Sequence, residues 1–354
     1  MSSLASKTSH AAADATAAAW LADLLGAPLP AEGGSVEIGG QTLTMKGGIL
    51  RARELLSARQ DQTKETFAFK WAKRDTFEGE LNRHARDWLT RKYGDVAAAP
   101  WLAEHGVNPI LLDAGCGASM SALAILDSVL PRMRYLGVDV SEAIDVASAR
   151  FAERGLDAAF IQADLQRLPL PENCVDLIFS EGVLHHTDDT RAALGAVVRH
   201  LKPGGRIIFY VYRKKGPIRE FTDDYVRRKL QGMSMQEAWD ALIPLSRLGK
   251  ILGDLDITID LPEAVDILEI PAGPINLQRL FYWHVFKIFY QPALTLQEMN
   301  HVNFDWYAPL NAHRHTPEEL REWCGSLGLH IEHEFLEEAG ISIIARKTAQ
   351  PAAN

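Results

Sequence analysis

Ile110-Leu-Leu-Asp-Ala-Gly-Cys-Gly-Ala-Ser119 decides the fold. An apolar run ends in an acid, passes through a glycine-spaced turn and enters a helix-forming segment from Met120 to Leu130. A buried strand feeding a tight loop and then a helix puts that loop at the carboxyl edge of a parallel sheet, where open α/β sheets bind ligands. Gly115 and Gly117 carry no Cβ, so the backbone there can turn sharply and let a ligand lie against it.

Outward from this stretch the chain alternates. Strand Ile110–Asp113 and helix Ser119–Leu130 are followed by strand Tyr135–Asp139 and helix Ser141–Arg154. Strand Ala159–Gln162 leads to a loop around Arg167, and strand Val175–Ser180 to helix Thr187–Leu201. Strand Arg206–Tyr212 follows the Lys202-Pro-Gly-Gly205 turn. Such alternation predicts βαβ units, an α/β fold with a mostly parallel sheet and helices on both faces. After Tyr212 the rhythm breaks into helix-like stretches at Phe221–Gly232, Ser234–Gly249 and Leu277–Tyr290, with an acidic β-branched segment from Asp254 to Pro262. This is too long for a loop, so residues 213–316 are expected to form a mainly helical insertion. Helix Pro317–Leu327 and strands His330–Leu336 and Ile341–Lys347 return to the sheet, and Ala345 to Asn354 should fray.

Residues 101–212 and 317–348 thus make the core, and residues 1–100 an extension packed on it. The extension reads as a disordered tail, a helix carrying Trp20, Leu21, Leu24 and Leu25, and a hairpin from Val36–Ile38 and Thr42–Met45 around Gly39-Gly40. A short helix Arg51–Arg59 and an aromatic cluster, Gln62 to Trp71, without clean periodicity come next. Phe77, Leu81, His84, Trp88 and Leu89 then mark an amphipathic helix ending near Tyr93-Gly94.

Composition narrows the function. The 354 residues include 37 basic and 46 acidic ones, a formal charge of −9, which disfavours a chain whose task is gripping nucleic acid. Cys116, Cys174 and Cys324 are far apart, with neither a disulfide framework nor zinc-ligand spacing, and a reducing cytoplasm is the expected compartment. No apolar run is long enough to span a membrane, and the N-terminus lacks the pattern of a secretion signal.

Acids recur at successive strand ends: Asp113, Asp139 and, just past the third strand, Asp164. A carboxylate at the second strand end can accept hydrogen bonds from both hydroxyls of a ribose, and one after the third suits an exocyclic amine such as that of adenine. A dinucleotide would need a third glycine where Met120 stands, so a pyrophosphate ligand is disfavoured. Here the chain resembles the class I S-adenosylmethionine-dependent methyltransferases, especially the small-molecule branch with a ubiquinone-methyltransferase-like core. The resemblance is carried by Leu111-Leu-Asp-Ala-Gly-Cys-Gly117, Leu136-Gly-Val-Asp-Val-Ser141, Gln162-Ala-Asp164 with Leu168-Pro169, Val175-Asp-Leu-Ile-Phe-Ser180, Val183-Leu-His-His186 and Leu201-Lys-Pro-Gly-Gly-Arg206. It implies a Rossmann-like sheet of seven strands, the last antiparallel, and S-adenosylmethionine as cofactor with S-adenosylhomocysteine as product. It also implies backbone contacts from Gly115 and Gly117 to the methionine part, Asp139 on the ribose and Asp164 on adenine. Asp113, Cys116, Val140, Leu165 and Ser180 complete the candidate cofactor set. Ser119 departs from the pattern, since many members have a glycine there. The hairpin near Val36–Leu50 resembles a small zinc ribbon of some relatives without its cysteines, so no metal is expected.

Methyl transfer needs acceptor and methyl aligned and dry, with a base where the acceptor must lose a proton. Glu181, His185 and His186, after the fourth strand, are the candidate catalytic residues; the plainer reading is that Thr187 caps a helix and the histidines pack. The insertion is the expected lid. Candidate acceptor contacts are Phe69, Trp71, Tyr282, Asp305, Tyr307, His313 and Arg314, against the alternative that the aromatics of Phe67–Trp71 and of Arg279–Tyr290 are packing anchors. His313-Arg-His315 has no partner acid at a metal-site spacing. The expected reaction is methylation of O, N or C on a small metabolite. RNA or protein methylation, or a non-catalytic cofactor-binding scaffold, are the alternatives. A homodimer is compatible with the sequence, since the extension can cover its own cofactor site or a neighbour's.

Overall fold

The structure, a computed structural model, describes residues 19–53, 56–73, 76 and 80–348, with backbone only at 80–82. The tail read before residue 19, Phe77 and residues 349–354 lie outside them. In chain order, helix α1 (residues 19–25) precedes strands β1 (Ser35–Ile38), β2 (Gln41–Lys46) and β3 (Ile49–Ala52) and helices α2 (Ala58–Ala72) and α3 (Glu80–Tyr93). The core follows as β4 (Ile110–Ala114), α4 (Met120–Ile125), β5 (Arg134–Asp139), α5 (Ala143–Arg154), β6 (Ala158–Gln162), β7 (Val175–Glu181), α6 (Thr190–Arg199) and β8 (Leu201–Tyr212). The insertion holds α7 (Pro217–Leu230), α8 (Met235–Asp254), β9 (Thr258–Leu261), β10 (Gly273–Asn276), α9 (Leu277–His284) and α10 (Leu296–Tyr307). Helix α11 (Pro317–Ser326) and strands β11 (Leu329–Leu336) and β12 (Gly340–Lys347) end it.

One sheet takes ten strands in the order β1-β2-β3-β6-β5-β4-β7-β8-β12-β11. Its pairs from β3 to β8 are parallel, and β12 runs antiparallel to both β8 and β11. The seven strands expected for the core are β4–β8, β11 and β12. The three extra ones arise because the hairpin does not stop at Met45. Gly47 and Gly48, at φ 66° and 72°, turn the chain into β3, whose Leu50 is fully buried in register with Ile161 of β6. Arg51, expected to open a helix, instead lies in β3 and donates to Gln162 Oε1 at 2.6 Å, and the helix starts only after Ser57, whose Oγ caps Gln60 N–H at 3.0 Å. At the other end β12 holds its ladder to Lys347, so Ala345 does not begin a frayed end.

Strand β4 is buried along its whole length because both faces carry helices. Ile110, Leu112 and Ala114 point into an apolar core shared with α1, α6 and α11, while Leu111 points into a second one with α4, α5, α8 and α10. The insertion packs on the second face, α8 against α10. Helix α10 covers Asn303–Tyr307, for which no period could be read. It is buried nearly all round, and its polar groups are satisfied internally: Ser246 Oγ donates to Asn300 Oδ1 at 2.7 Å, and Asn303 Nδ2 donates to Ser246 Oγ at 2.9 Å. Helix α9 ends at His284, so Val285–Tyr290 is irregular rather than helical. The topological switch falls at β4, flanked by β5 and β7, and the crevice opens at those carboxyl ends.

Gly137, in central strand β5, makes room for the rings of its neighbours in the sheet: a Cβ there would lie 2.6 Å from Phe160 Cδ1 of β6 and 3.1 Å from Tyr135 Cε1 of β5. Gly137→Ala should lower the unfolding free energy by about 1–3 kcal/mol through overpacking. Gly325→Ala, in α11 with nothing within 4 Å of the added methyl, should leave it unchanged or raise it by up to about 1 kcal/mol. Urea unfolding of both variants checks the contrast, and equal effects would contradict it.

Candidate active site

A cavity of about 740 Å³ lies on the carboxyl edge of β4, β5, β6 and β7. Its floor is made by the strand ends: Asp113, Gly115, Cys116 and Gly117 after β4, Asp139 and Val140 after β5, Asp164 and Leu165 after β6. Gly115 (φ 81°) could carry no side chain, since a Cβ would fall 2.2 Å from Val183 Cγ1, and a Cβ on Gly117 (φ 50°) would meet the indole Nε1 of Trp71 at 3.0 Å. Asp139 closes this loop: its Oδ2 accepts from Gly117 N–H at 2.8 Å and its Oδ1 from Ser141 N–H at 2.8 Å and Ser141 Oγ at 2.6 Å. Three of its roughly four acceptor positions are therefore used, and one is left for a ligand hydroxyl rather than the two first expected. Asp113 accepts from Tyr135 OH at 2.5 Å; burial pushes its carboxyl up to about 7. Asp164 spends Oδ1 on Gln166 N–H at 3.0 Å. The Cys116 thiol is held far up by burial and stays protonated.

The roof comes from the extension and the insertion of the same chain. Gln60, Thr63, Lys64, Phe67, Lys70 and Trp71 of α2 line the cavity, and so do His301 and Asp305 of α10. Asp305 joins the parts: its Oδ1 pairs with Lys70 Nζ and its Oδ2 accepts from Tyr212 OH of β8 at 3.1 Å. Burial alone would raise the Asp305 carboxyl, but Lys70, His186 and Lys287 outweigh it and hold the group well below the usual range. His186 also lines the cavity. Its Nδ1 lies 2.6 Å from the Asn311 carbonyl oxygen, which can only accept, so the proton sits on Nδ1 and Nε2 keeps its lone pair. Burial brings His186 down to about 4, so the ring is neutral at physiological pH.

Several sequence-chosen residues stand elsewhere. His185 is fully buried away from the cavity, its ring stacked on Tyr212 at 3.8 Å between centroids. Glu181 reaches the cavity wall, but its carboxylate is bound to Lys92 Nζ and to Tyr93 OH at 2.6 Å, leaving it no freedom as a base. Ser180 Oγ donates to the Ala114 carbonyl at 2.9 Å and ties β7 to β4. Phe69 packs on Trp239 and Phe304, on the face of α2 turned from the cavity. Tyr282 is buried against Trp283 and Arg219; Tyr307 OH donates to Asp223 Oδ1 at 2.7 Å. Arg314 pairs with Glu220 and Asp224, and His313 follows the chain past His185; neither lines the cavity. Trp71 does line it, but over the glycine loop.

Lys70, Tyr212, Arg279, Lys287 and His301 were missed. For α2 a signal existed: 60, 63, 64, 67, 70 and 71 recur at three- and four-residue spacing, one face of a helix whose mixed polarity hid the period. For Lys287, in an irregular segment, none did.

Residues 112–209 match the family described as "Methyltransferase domain". "Uncharacterized methyltransferase YcgJ" of Bacillus subtilis (strain 168) is 30% identical over 160 residues, 43% of this chain and 60% of that protein. "Trans-aconitate 2-methyltransferase" of Azoarcus sp. (strain BH72) is 38% identical over 129 residues, 36% of this chain and 45% of that protein. The chain thus spans about half the length of these curated relatives. The crystal structure of Burkholderia thailandensis 1,6-didemethyltoxoflavin-N1-methyltransferase, with bound 1,6-didemethyltoxoflavin and S-adenosylhomocysteine, aligns over 90% of this chain and 100% of that one, at 16% identity and a TM-score of 0.44. The family match stops at Phe209, just short of the insertion. Residues 112–209 form a methyltransferase domain.

Proposed function

We propose that the chain transfers a methyl group from S-adenosylmethionine to an O, N or C atom of a small-molecule acceptor held beneath α2 and α10. The observation that carries this reading is that one cavity has two unlike ends. Carboxylates and a side-chain-free loop form the end on the sheet; a roofed polar cluster of Lys70, Asp305, Tyr212 and His186 forms the other. The residues on the floor fit the donor. Gly115 and Gly117 present bare backbone to the cavity because Val183 and Trp71 take the places of their side chains, Asp139 keeps one acceptor position for a ribose hydroxyl, and Asp164 suits the adenine amine. When bound, S-adenosylmethionine supplies a methyl group on a positively charged sulfonium.

The remaining work falls to the chain. Trp71, packed over Gly117, covers the loop and keeps water from it. His186 offers Nε2 as a proton acceptor for an acceptor hydroxyl or amine, with its tautomer fixed from behind by Asn311. Asp305 holds the Tyr212 hydroxyl and the Lys70 ammonium in place, so the acceptor meets a preorganised wall. A small molecule suits this cavity better than a macromolecule, because α2 and α10 line it from one side and are tied together by the buried Lys70–Asp305 pair.

Calorimetry with S-adenosylhomocysteine tests the donor half: the protein should bind it, Asp139→Ala should weaken binding by roughly 10–100-fold for the loss of a charged hydrogen bond, and His186→Ala should leave it near wild type. Absence of binding to the unaltered protein would sink the reading. In a panel of small acceptors followed by S-adenosylhomocysteine release, His186→Ala should cut kcat by about 100-fold or more. Because the active form of His186 is deprotonated, kcat at saturating acceptor should hold through neutral pH and fall only as the pH drops toward 4. Full turnover by the variant would remove His186 from proton transfer.

A further inference from the structure

Burial of charge around Asp305 does not balance. Lys70 is paired with Asp305, and Arg219 with Asp223 through Nε···Oδ2 at 2.6 Å. Among the described residues Lys287 and Lys215 have no carboxylate partner; Lys215 Nζ is held by the carbonyls of Arg213, Glu338 and Ala339, whereas Lys287 has no such contact. Its side chain is more than nine-tenths buried, lies on the cavity wall and sits 4.9 Å from the Trp306 ring centroid. Among the described residues no hydrogen bond or ion pair within 4 Å reaches its Nζ; its backbone N–H, by contrast, is held by Tyr307 OH at 2.8 Å and Asp223 Oδ1 at 3.2 Å, so the residue is fixed in place. A mostly desolvated ammonium that opens onto the cavity with no carboxylate bonded to it is a ready contact for an anion bound there. The neutral rings of His186 and His301 add no charge to the balance.

We infer that the methyl acceptor carries an oxyanion, a carboxylate or a phosphate monoester, and that Lys287 is the residue that seats it, with Arg279 and Gln291 on the same wall. This rests on the reading of the cavity as a methyl-transfer site. The sulfonium of the donor is itself cationic, so a second positive charge at the acceptor end is tolerable only where an anion comes between. Lys287 faces Lys70 from α2, Lys215 from the segment before α7, Arg219 and Asp223 from α7, and Asp305 and Trp306 from α10. Burial, countered by Asp305, brings its ammonium down to about 7. Lys287 therefore releases its proton as the pH rises through 7, and an anion binds the protonated form. Affinity for the anion should accordingly fall as pH rises through 7.

The test uses S-adenosylhomocysteine-loaded protein titrated with benzoate, phenyl phosphate and the neutral isostere benzamide. At pH 6 at least one anion should bind about 10–100-fold more tightly than benzamide, as a charge-assisted contact predicts. That preference should weaken by pH 8, vanish in Lys287→Met and survive in Lys287→Arg. The phosphate and carboxylate arms tell which oxyanion fits. Benzamide binding as well as both anions, no binding by either anion, or an unaltered preference in Lys287→Met would overturn the inference. Donor binding, read in the loading step, separates this failure from failure of the methyl-transfer reading itself. A general-base role for Lys287 would appear instead as loss of kcat in Lys287→Arg with anion binding retained and no benzoate preference in the unaltered protein.

Discussion

The carboxylate of Asp305 is the interaction on which the site depends. It lies on α10 of the insertion, pairs with Lys70 of α2 in the extension and accepts from Tyr212 at the end of β8 in the core. Three segments distant in sequence are thus closed around one buried charge. A buried ion pair contributes little net stability over apolar packing, because desolvation offsets most of the attraction, but removing one partner strands the other at a cost of about 3–5 kcal/mol. The pair is best understood as a fastener: it fixes where the roof meets the sheet, and with it the size of the enclosed space.

Below that roof the two ends of the cavity follow different physical rules. The floor relies on missing side chains and on carboxylates anchored by backbone and hydroxyl donors, so its shape is set by the backbone. The roof relies on buried titratable groups whose charge is set by burial. His186 is neutral because its environment disfavours the imidazolium, and Lys287 is brought down to about 7 by the same desolvation. Glu181 with Lys92 and Tyr93 shows the other use of buried charge, since all of its bonds tie α3 to β7 and none is left for chemistry.

Much of this was legible in the sequence, for reasons that can be named. Fully apolar strands broken by Gly115 and Gly117, with Asp113, Asp139 and Asp164 at strand ends, can be read because position along a strand fixes where a residue emerges. The sheet's extra edge was half legible: the β1–β2 hairpin was visible, but its continuation through Gly47-Gly48 into β3 depends on a parallel pairing more than a hundred residues away. The roof was hardest. Tyr282, Tyr307 and Arg314 have the composition of a binding surface, yet they are consumed by Arg219, Asp223, Glu220 and Asp224 within the insertion. His185 and His186 are adjacent and alike in sequence, and only the local turn sends one into the core and the other to the cavity. Nothing local in the sequence announces that Lys70 and Lys287 will be buried.

The central claim is that a single cavity holds the donor on the sheet edge and the acceptor under α2 and α10. A crystal structure of the chain with S-adenosylhomocysteine tests it most directly. The nucleoside should lie against Asp139 and Asp164 and the amino-acid part along Gly115–Gly117 beside Trp71, with the Lys70–Asp305 pair intact and the space beside His186 left open for an acceptor. A nucleoside lodged beside His186 and Lys287, or a ligand bound away from the ends of β4, β5 and β6, would contradict it.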